Sequence, residues 1–208
     1  RLARGPAEGG VRFHPFRYAP HPSLNVFGYA AALRADVELR AAAYAAAPLA
    51  LAASFRAARR VAREAGATIL HGHWLVPSGA VAAAAAGRLP VVISLHGSDV
   101  FVAERHAVAR RAARAALGRA DALTACSDDL RDRAIAIGAD PARSETIPYG
   151  VDVERFRPDA ARRAETRRAM GADADDPELF TAGRLVRKKG FGDLIDAVGL
   201  LATRWPRL

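Results

Sequence analysis

Through the middle of this 208-residue chain, short apolar runs alternate with longer stretches in which alanine and leucine recur at helical spacing. The apolar runs are Thr68–His73, Pro90–His96 (PVVISLH), Asp121–Cys126 and Ser144–Pro148. Each has the length of a strand, and Pro90–His96 in particular is apolar at nearly every position rather than at every second one. Between them Val81–Arg88, a stretch from about His106 to Gly118, and Ser127–Gly138 read as helices. Strands alternating with helices, and apolar on both faces, predict a parallel sheet covered by helices. The expected fold is therefore α/β, a doubly wound, Rossmann-like domain.

On either side the rhythm changes. Val11–Tyr18 reads as a strand ended by Pro20, His21 and Pro22, and residues 30–66 as helix-rich, with a restart at Pro48 and a stop at Gly66. Asp152–Asp176 holds Pro158, a charged Arg/Ala helix over about 160–170 and the acidic turn Asp173–Pro177, which reads as a connection between domains. Glu178–Ala182 then reads as a new strand, Gly183–Lys189 as a basic loop, and Gly190–Thr203 as a helix with Leu194, Ile195, Val198 and Leu201 on one stripe. The organisation expected is a domain over 1–152, a connection over 153–176, and the first strand–helix unit of a second domain over 177–208.

Composition narrows the class. A chain 51% hydrophobic and 25% charged is that of a globular protein, not a disordered one. Cys126 is the single cysteine, so no disulfide framework exists and a reducing, cytoplasmic setting is expected. No run of about 18 apolar residues offers a spanning helix; the longest candidate, Ala41 to Ala58, is interrupted by Pro48, Ser54 and Arg56. The chain opens at Arg1 without an initiator methionine or signal-peptide core, and stops at Leu208 just after a helical pattern, so it reads as a piece of a longer protein. The net charge of +9 is uneven: residues 1–120 carry 16 arginines against 6 acidic side chains, whereas residues 121–208 carry 15 basic against 16 acidic. A solvated arginine surface explains this, and so does attraction to anionic lipid at the inner face of a membrane. Nucleic acid is not expected, because the arginines lack interleaved aromatics for stacking.

In open α/β sheets ligands bind beyond the carboxyl ends of the strands, so the polar residues there are the candidates. His71 and His73, in HGHWLVPSG, are two apart and share a strand face; with no further ligands beside them they are not read as a zinc pair. His71 reads as a satisfied core or rim histidine and His73, nearer the strand end, as facing a cleft. His96 ends the next strand and is followed by Gly97, which permits a sharp turn close to a ligand, and by Asp99, which reads either as a ligand contact or as a cap of the following short helix. Ser127 opens a helix and is explained by N-capping, with a ligand role second. Gly183-Arg184-Leu185-Val186-Arg187-Lys188-Lys189-Gly190 lies between a predicted strand and a helix start, where backbone N–H groups and the helix dipole favour an anion. Arg184 offers a planar fork for phosphate oxygens and Lys189 a compact charge. The other reading of this loop is a solvated basic turn.

Four stretches in this order resemble the retaining glycosyltransferases of family 4, which have the two-domain GT-B fold: HGHWLVPSG (71–79), PVVISLHGSDVF (90–101), ADALTACSDDLRDRAIAIGADPARSETIPYGVDVERFRP (120–158) and LFTAGRLVRKKGFGDLIDAV (179–198). The resemblance implies an acceptor-binding first domain and a second that holds a nucleotide-diphosphate sugar. It implies that Arg184 and Lys189 contact the donor diphosphate, and that His96 and Gly97 lie near the transferred sugar. Tyr149-Gly150-Val151-Asp152 is similar to the family's Asn-Gly-Val-Asp segment, with tyrosine in the first place. The family's first strand with its glycine-rich loop, and its paired-glutamate motif, would fall before Arg1 and after Leu208, so the chain alone is expected to be inactive.

The residue patterns and the resemblance together give a set of expectations, with His73 and Ser127 read from their places at strand ends. Catalytic roles fall to His96, Arg184 and Lys189, and substrate or donor contacts to Gly97, His73, Ser127, Arg184 and Lys189. The co-substrate is a nucleotide-diphosphate sugar, the acceptor a sugar or lipid-linked hydroxyl in cell-envelope synthesis, and no cofactor or metal is needed, because fixed cations stabilise the departing diphosphate. Two alternatives stay open: another nucleotide-sugar-binding α/β protein such as an epimerase, and a basic membrane-surface module built on Arg56, Arg59, Arg60 and Arg63 beside Leu49, Leu51 and Phe55.

Overall fold

A computed structural model of the chain describes residues 10–19, 21, 24, 26, 27, 33–35, 38, 39, 41–173 and 175–205. The chain divides into two compact units, residues 1–149 and 150–208.

The first unit begins differently from expectation. Residues 12–19 form no strand. Val11 and Phe13 are more than half exposed, and no described segment takes up the hydrogen bonds of residues 12–19. The Phe27 N–H instead donates to the Tyr18 hydroxyl at 2.7 Å and the two rings meet at 5.8 Å. Residues 33–35 and 38–39, placed in a helical region by the sequence reading, pair as short antiparallel strands β1 (Leu33–Ala35) and β2 (Glu38–Leu39). Leu-Arg-Ala-Asp-Val-Glu-Leu-Arg alternates apolar and charged, which is the period of a strand; the rest of 30–40 lies outside the described residues. Helix α1 (Ala41–Glu64) then runs through Pro48 without the expected restart. The proline removes one N–H from the helix ladder, and the alanines around it have the helix propensity to carry the chain across.

Beyond α1 the expected alternation is realised. The elements are β3 (Leu70–His73), α2 (Ala80–Ala85), β4 (Val91–Leu95), α3 (Ser98–Arg105), α4 (Ala107–Arg119), β5 (Ala122–Ala125), α5 (Asp128–Ile137) and β6 (Ser144–Thr146). The four strands lie in the order β3-β4-β5-β6, all parallel. This is the Rossmann-like α/β sheet that the apolar runs predicted. Val91, Ile93 and Leu95 are essentially inaccessible and form one cluster with Val100 and Ala103 of α3, Ala113 and Leu117 of α4, and Leu130, Ala134 and Ile137 of α5. Each large side chain so buried contributes about 1.5–3 kcal/mol. The alternate residues of the same strands face the other way and stay partly accessible: His71, His73, Val92, Ser94, Ala122 and Thr124. That half-open face is where polar chemistry collects.

Two clasps fix the strand ends. The Asp121 carboxylate accepts the Val91 N–H at 2.8 Å and pairs with Arg119 at 3.0 Å, which ties the start of β4 to the start of β5. The Val91 N–H, and then Arg119, hold that carboxyl below the usual aspartate range. At the other end of the sheet Asp99 does the corresponding work.

In the second unit, α6 (Ala160–Ala169) is N-capped by Asp159, whose carboxylate accepts the Arg162 N–H at 2.9 Å. Arg167 is buried on this helix, and the acidic turn wraps it: the guanidinium donates to Glu178 at 2.6 Å and to the Asp173 and Asp176 carbonyls at 2.5 Å each. Glu178–Ala182 forms no strand; Leu179 and Phe180 are exposed and no described segment runs beside them to accept a ladder. Helix α7 (Phe191–Leu201) is present; none of its residues is fully buried, and of its apolar stripe Leu194 and Val198 are half-buried while Ile195 and Leu201 are exposed.

Candidate functional site

The carboxyl ends of β3 and β4 bring together residues 23 to 53 positions apart in sequence. Parallel register sets His73 beside Ser94 and Ser94 beside Thr124, so the polar residues of three strands form a row on the half-open face. Ser94 Oγ lies 2.7 Å from Thr124 Oγ1 and 2.7 Å from His71 Nε2. His71 is thus satisfied at the rim, as the sequence suggested. Burial, and then the neighbouring His73 and His96, lower its pKa below the ordinary histidine value.

His73 and His96 meet at the strand ends. His73 Nδ1 is 3.0 Å from His96 Nε2, and the other nitrogen of His96, Nδ1, is hydrogen-bonded to the Tyr149 hydroxyl. Ring centroids are 4.3 Å apart for His71 and His73 and 5.2 Å for His73 and His96. Tyr149 stacks on His96 at 5.9 Å with planes 17° apart, and the edge of Trp74 closes the group at 6.1 Å. Partial desolvation of the Tyr149 phenol, with Cys126 and Asp99 nearby, raises its pKa. Trp74 is half exposed at φ 71°, a conformation that costs a bulky residue strain and that recurs at functional sites.

Two glycines shape this end of the sheet. Gly97 sits at φ 113°, which supports the sharp turn read from the sequence. Gly72 is packed so closely that a Cβ there would stand 2.8 Å from the Gly79 Cα. The close approach brings the turn Leu75–Gly79 down onto β3.

Asp99 does not cap α3, whose N-cap is Gly97. Its buried carboxylate accepts the Leu75 N–H at 2.7 Å and the His96 N–H at 3.2 Å. It therefore links the turn after β3 to the turn after β4, and so holds the backbone that carries His96. Ser127 caps α5, accepting the Leu130 N–H at 3.4 Å, and stands at the carboxyl end of β5. Next to it Asp128 accepts the Thr146 hydroxyl at 2.6 Å. Sequence reasoning missed Ser94, Thr124 and the Tyr149 contact. The first two carried a signal, a single hydroxyl inside an otherwise apolar strand.

Arg184 and Lys189 belong to the second unit. Both are exposed. Residues Arg187–Lys189 form one tight turn that ends at Gly190, left-handed at φ 68°, and Gly190 is the N-cap of α7 without a side-chain oxygen to occupy the helix start. The Lys189 side chain folds back over Gly183, its Cδ 3.9 Å from the position of a Cβ there. Lys189 stands beside this helix start, on the loop the sequence singled out, and the first turn of α7 also carries Asp193, with a carboxylate oxygen 3.6 Å from the position of a Cβ on Gly190. Among the described residues no three His, Cys, Asp or Glu side chains are grouped to hold a metal ion.

The comparisons agree with this architecture. Residues 1–155 match the family model described as Glycosyltransferase Family 4, and the chain belongs to that family. It is 34% identical over 134 residues to TuaC of Bacillus subtilis, whose name assigns it to teichuronic acid biosynthesis as a glycosyltransferase; the match covers 62% of this chain and 34% of TuaC. It is 37% identical over 121 residues to a GDP-mannose-dependent alpha-(1-6)-phosphatidylinositol monomannoside mannosyltransferase of Mycolicibacterium smegmatis, covering 58% of this chain and 31% of that protein. The chain thus spans about a third of the length of these relatives. Its fold resembles the crystal structure of Anabaena HepE in complex with UDP and glucose, with a TM-score of 0.57 at 21% identity over 70% of this chain and 40% of HepE.

Proposed function

We propose that the chain is part of a retaining glycosyltransferase that moves a sugar from a nucleotide-diphosphate donor to an acceptor hydroxyl in cell-envelope or glycolipid synthesis. The observation that carries this reading is the convergence of His73, His96, Gly97 and Tyr149 at the carboxyl ends of β3 and β4 in a chain of this family. Family membership favours transfer over the epimerase alternative, and relatives named for teichuronic acid and mannoside synthesis support an envelope acceptor.

Cleaving a sugar–diphosphate bond leaves negative charge on the departing oxygen. Arg184, Lys189 and the start of α7 stabilise that charge as it develops, so the reaction needs no metal. His96 contacts the transferred sugar, Gly97 lets the backbone come close, and His73 and Ser127 line the substrate side. The acceptor hydroxyl attacks from the face the diphosphate leaves, which retains the configuration. In a polypeptide of the relatives' length, Arg184→Ala lowers turnover by about 100- to 1000-fold, the cost of one lost contact to a developing anion. Release of free nucleoside diphosphate measures it, and unchanged turnover removes Arg184 from the mechanism.

A lipid-linked acceptor fits α1. Tyr44, Leu49 and Leu51 are exposed on it, as are Arg56, Arg59, Arg60 and Arg63 one to three turns further on. Apolar side chains followed by a cationic end suit peripheral contact with an anionic bilayer. Among the described residues no helix is long and apolar enough to cross one.

A further inference from the structure

We propose that Tyr149 is a positioning residue that holds His96 in one tautomer, with the ring proton on Nε2. The inference rests on the reading of His96 as a ligand-facing residue and assigns the direction of the hydrogen bond it offers. Both ring nitrogens of His96 are engaged, Nδ1 by the Tyr149 hydroxyl and Nε2 by His73 Nδ1 at 3.0 Å. A neutral imidazole carries one proton, so one nitrogen donates and the other accepts.

The phenol decides which. A phenolic O–H is a good donor, whereas its oxygen lone pairs are drawn into the ring and accept poorly. The hydroxyl's other neighbour is the Cys126 thiol, whose sulfur is a weak acceptor. The unprotonated imidazole nitrogen is much the better target, so Tyr149 donates to His96 Nδ1. His96 Nε2 then carries the proton and donates to His73 Nδ1, which leaves the His73 proton on its own Nε2. Stacking at 17° between the Tyr149 and His96 planes holds the imidazole in the orientation this chain of bonds requires.

The consequence is chemical. A sugar hydroxyl or phosphate oxygen that takes the place of His73 meets an N–H at His96, not a lone pair. His96 is then a donor that stabilises a ligand oxygen, and proton abstraction falls to another group. Tyr149, which stands where the resembled segment has asparagine, is the residue that sets this polarity.

The test reads protons, not sugar transfer. Long-range 1H–15N correlation spectra of the 208-residue chain with 15N-histidine, recorded about two pH units above the ordinary histidine pKa, report the tautomer of each ring. The His96 signals are assigned by their disappearance in His96→Gln. The wild-type protein is expected to show His96 protonated at Nε2 alone, and Tyr149→Phe to show a mixture of the two tautomers with an unchanged melting temperature. Protonation at Nδ1 in the wild type overturns the proposal, as does a tautomer that Tyr149→Phe leaves untouched. If Tyr149→Phe fails to fold, the wild-type spectrum decides. A chain that passes this test in a protein with no transferase activity would sink the functional reading and leave the tautomer assignment standing.

Discussion

Removing the carboxylate of Asp99 strands the N–H groups of Leu75 and His96, both of which now donate to it. Each unmet buried donor costs about 1–3 kcal/mol, so Asp99→Ala is expected to lose about 2–6 kcal/mol in denaturant unfolding. Asp99→Asn, which keeps one acceptor oxygen, should fall between it and the wild type. The charge of Asp99 and its closeness to a strand end were plain in the sequence, but not its direction; a carboxylate in a helix's first turn reads as a cap until the turn after β3 is seen folded over it. His71 gives a pH signature. Its pKa is lowered in the folded chain, so below the ordinary histidine value near 6.5 the unfolded chain binds a proton that the folded chain resists. Stability is therefore full above that value and declines as pH falls through it. Melting temperatures between pH 8 and pH 5 should drop less in His71→Gln than in the wild type; equal drops would assign the sensitivity to another group.

Among the elements, two glycines predict the same loss for different reasons. Gly72→Ala drives a methyl into the Gly79 backbone, and Gly97→Ala meets open space but must hold φ 113°. Each is expected to cost about 1–3 kcal/mol, read from urea midpoints. The parallel strands were legible because short apolar runs alternate with helical stretches, although in the folded sheet only every second residue of β4 and β5 is fully buried and the other face stays half open. Elements that depend on a neighbour were less so. Glu178–Ala182 has a strand's composition, and it forms no strand because no described segment runs beside it. The pair β1 and β2 was hidden by the alanine-rich context of α1, although Leu33–Arg40 alternates strictly. Pro48 marks no boundary, since the alanines on both sides outweigh one missing bond.

For the molecule as a whole, the uneven charge makes a testable difference. Vesicles containing phosphatidylglycerol should retain the chain at low salt and release it near 0.5 M salt, roughly, where the screening length falls below about 5 Å. Phosphatidylcholine vesicles should not hold it, and replacing Arg56, Arg59, Arg60 and Arg63 with glutamine should abolish retention in a sedimentation assay. The histidines at the strand ends were legible through their position after apolar runs, and the family through four motifs in order. Tyr149 was not, because its role depends on a residue 53 positions away. The link made by Asp99 bears on how such a protein diversifies. One buried carboxylate yokes two surface turns, so neither can be lengthened or re-aimed while the other stays put. New specificity must then arise by changing side chains upon a fixed pair of turns, or by replacing both turns together.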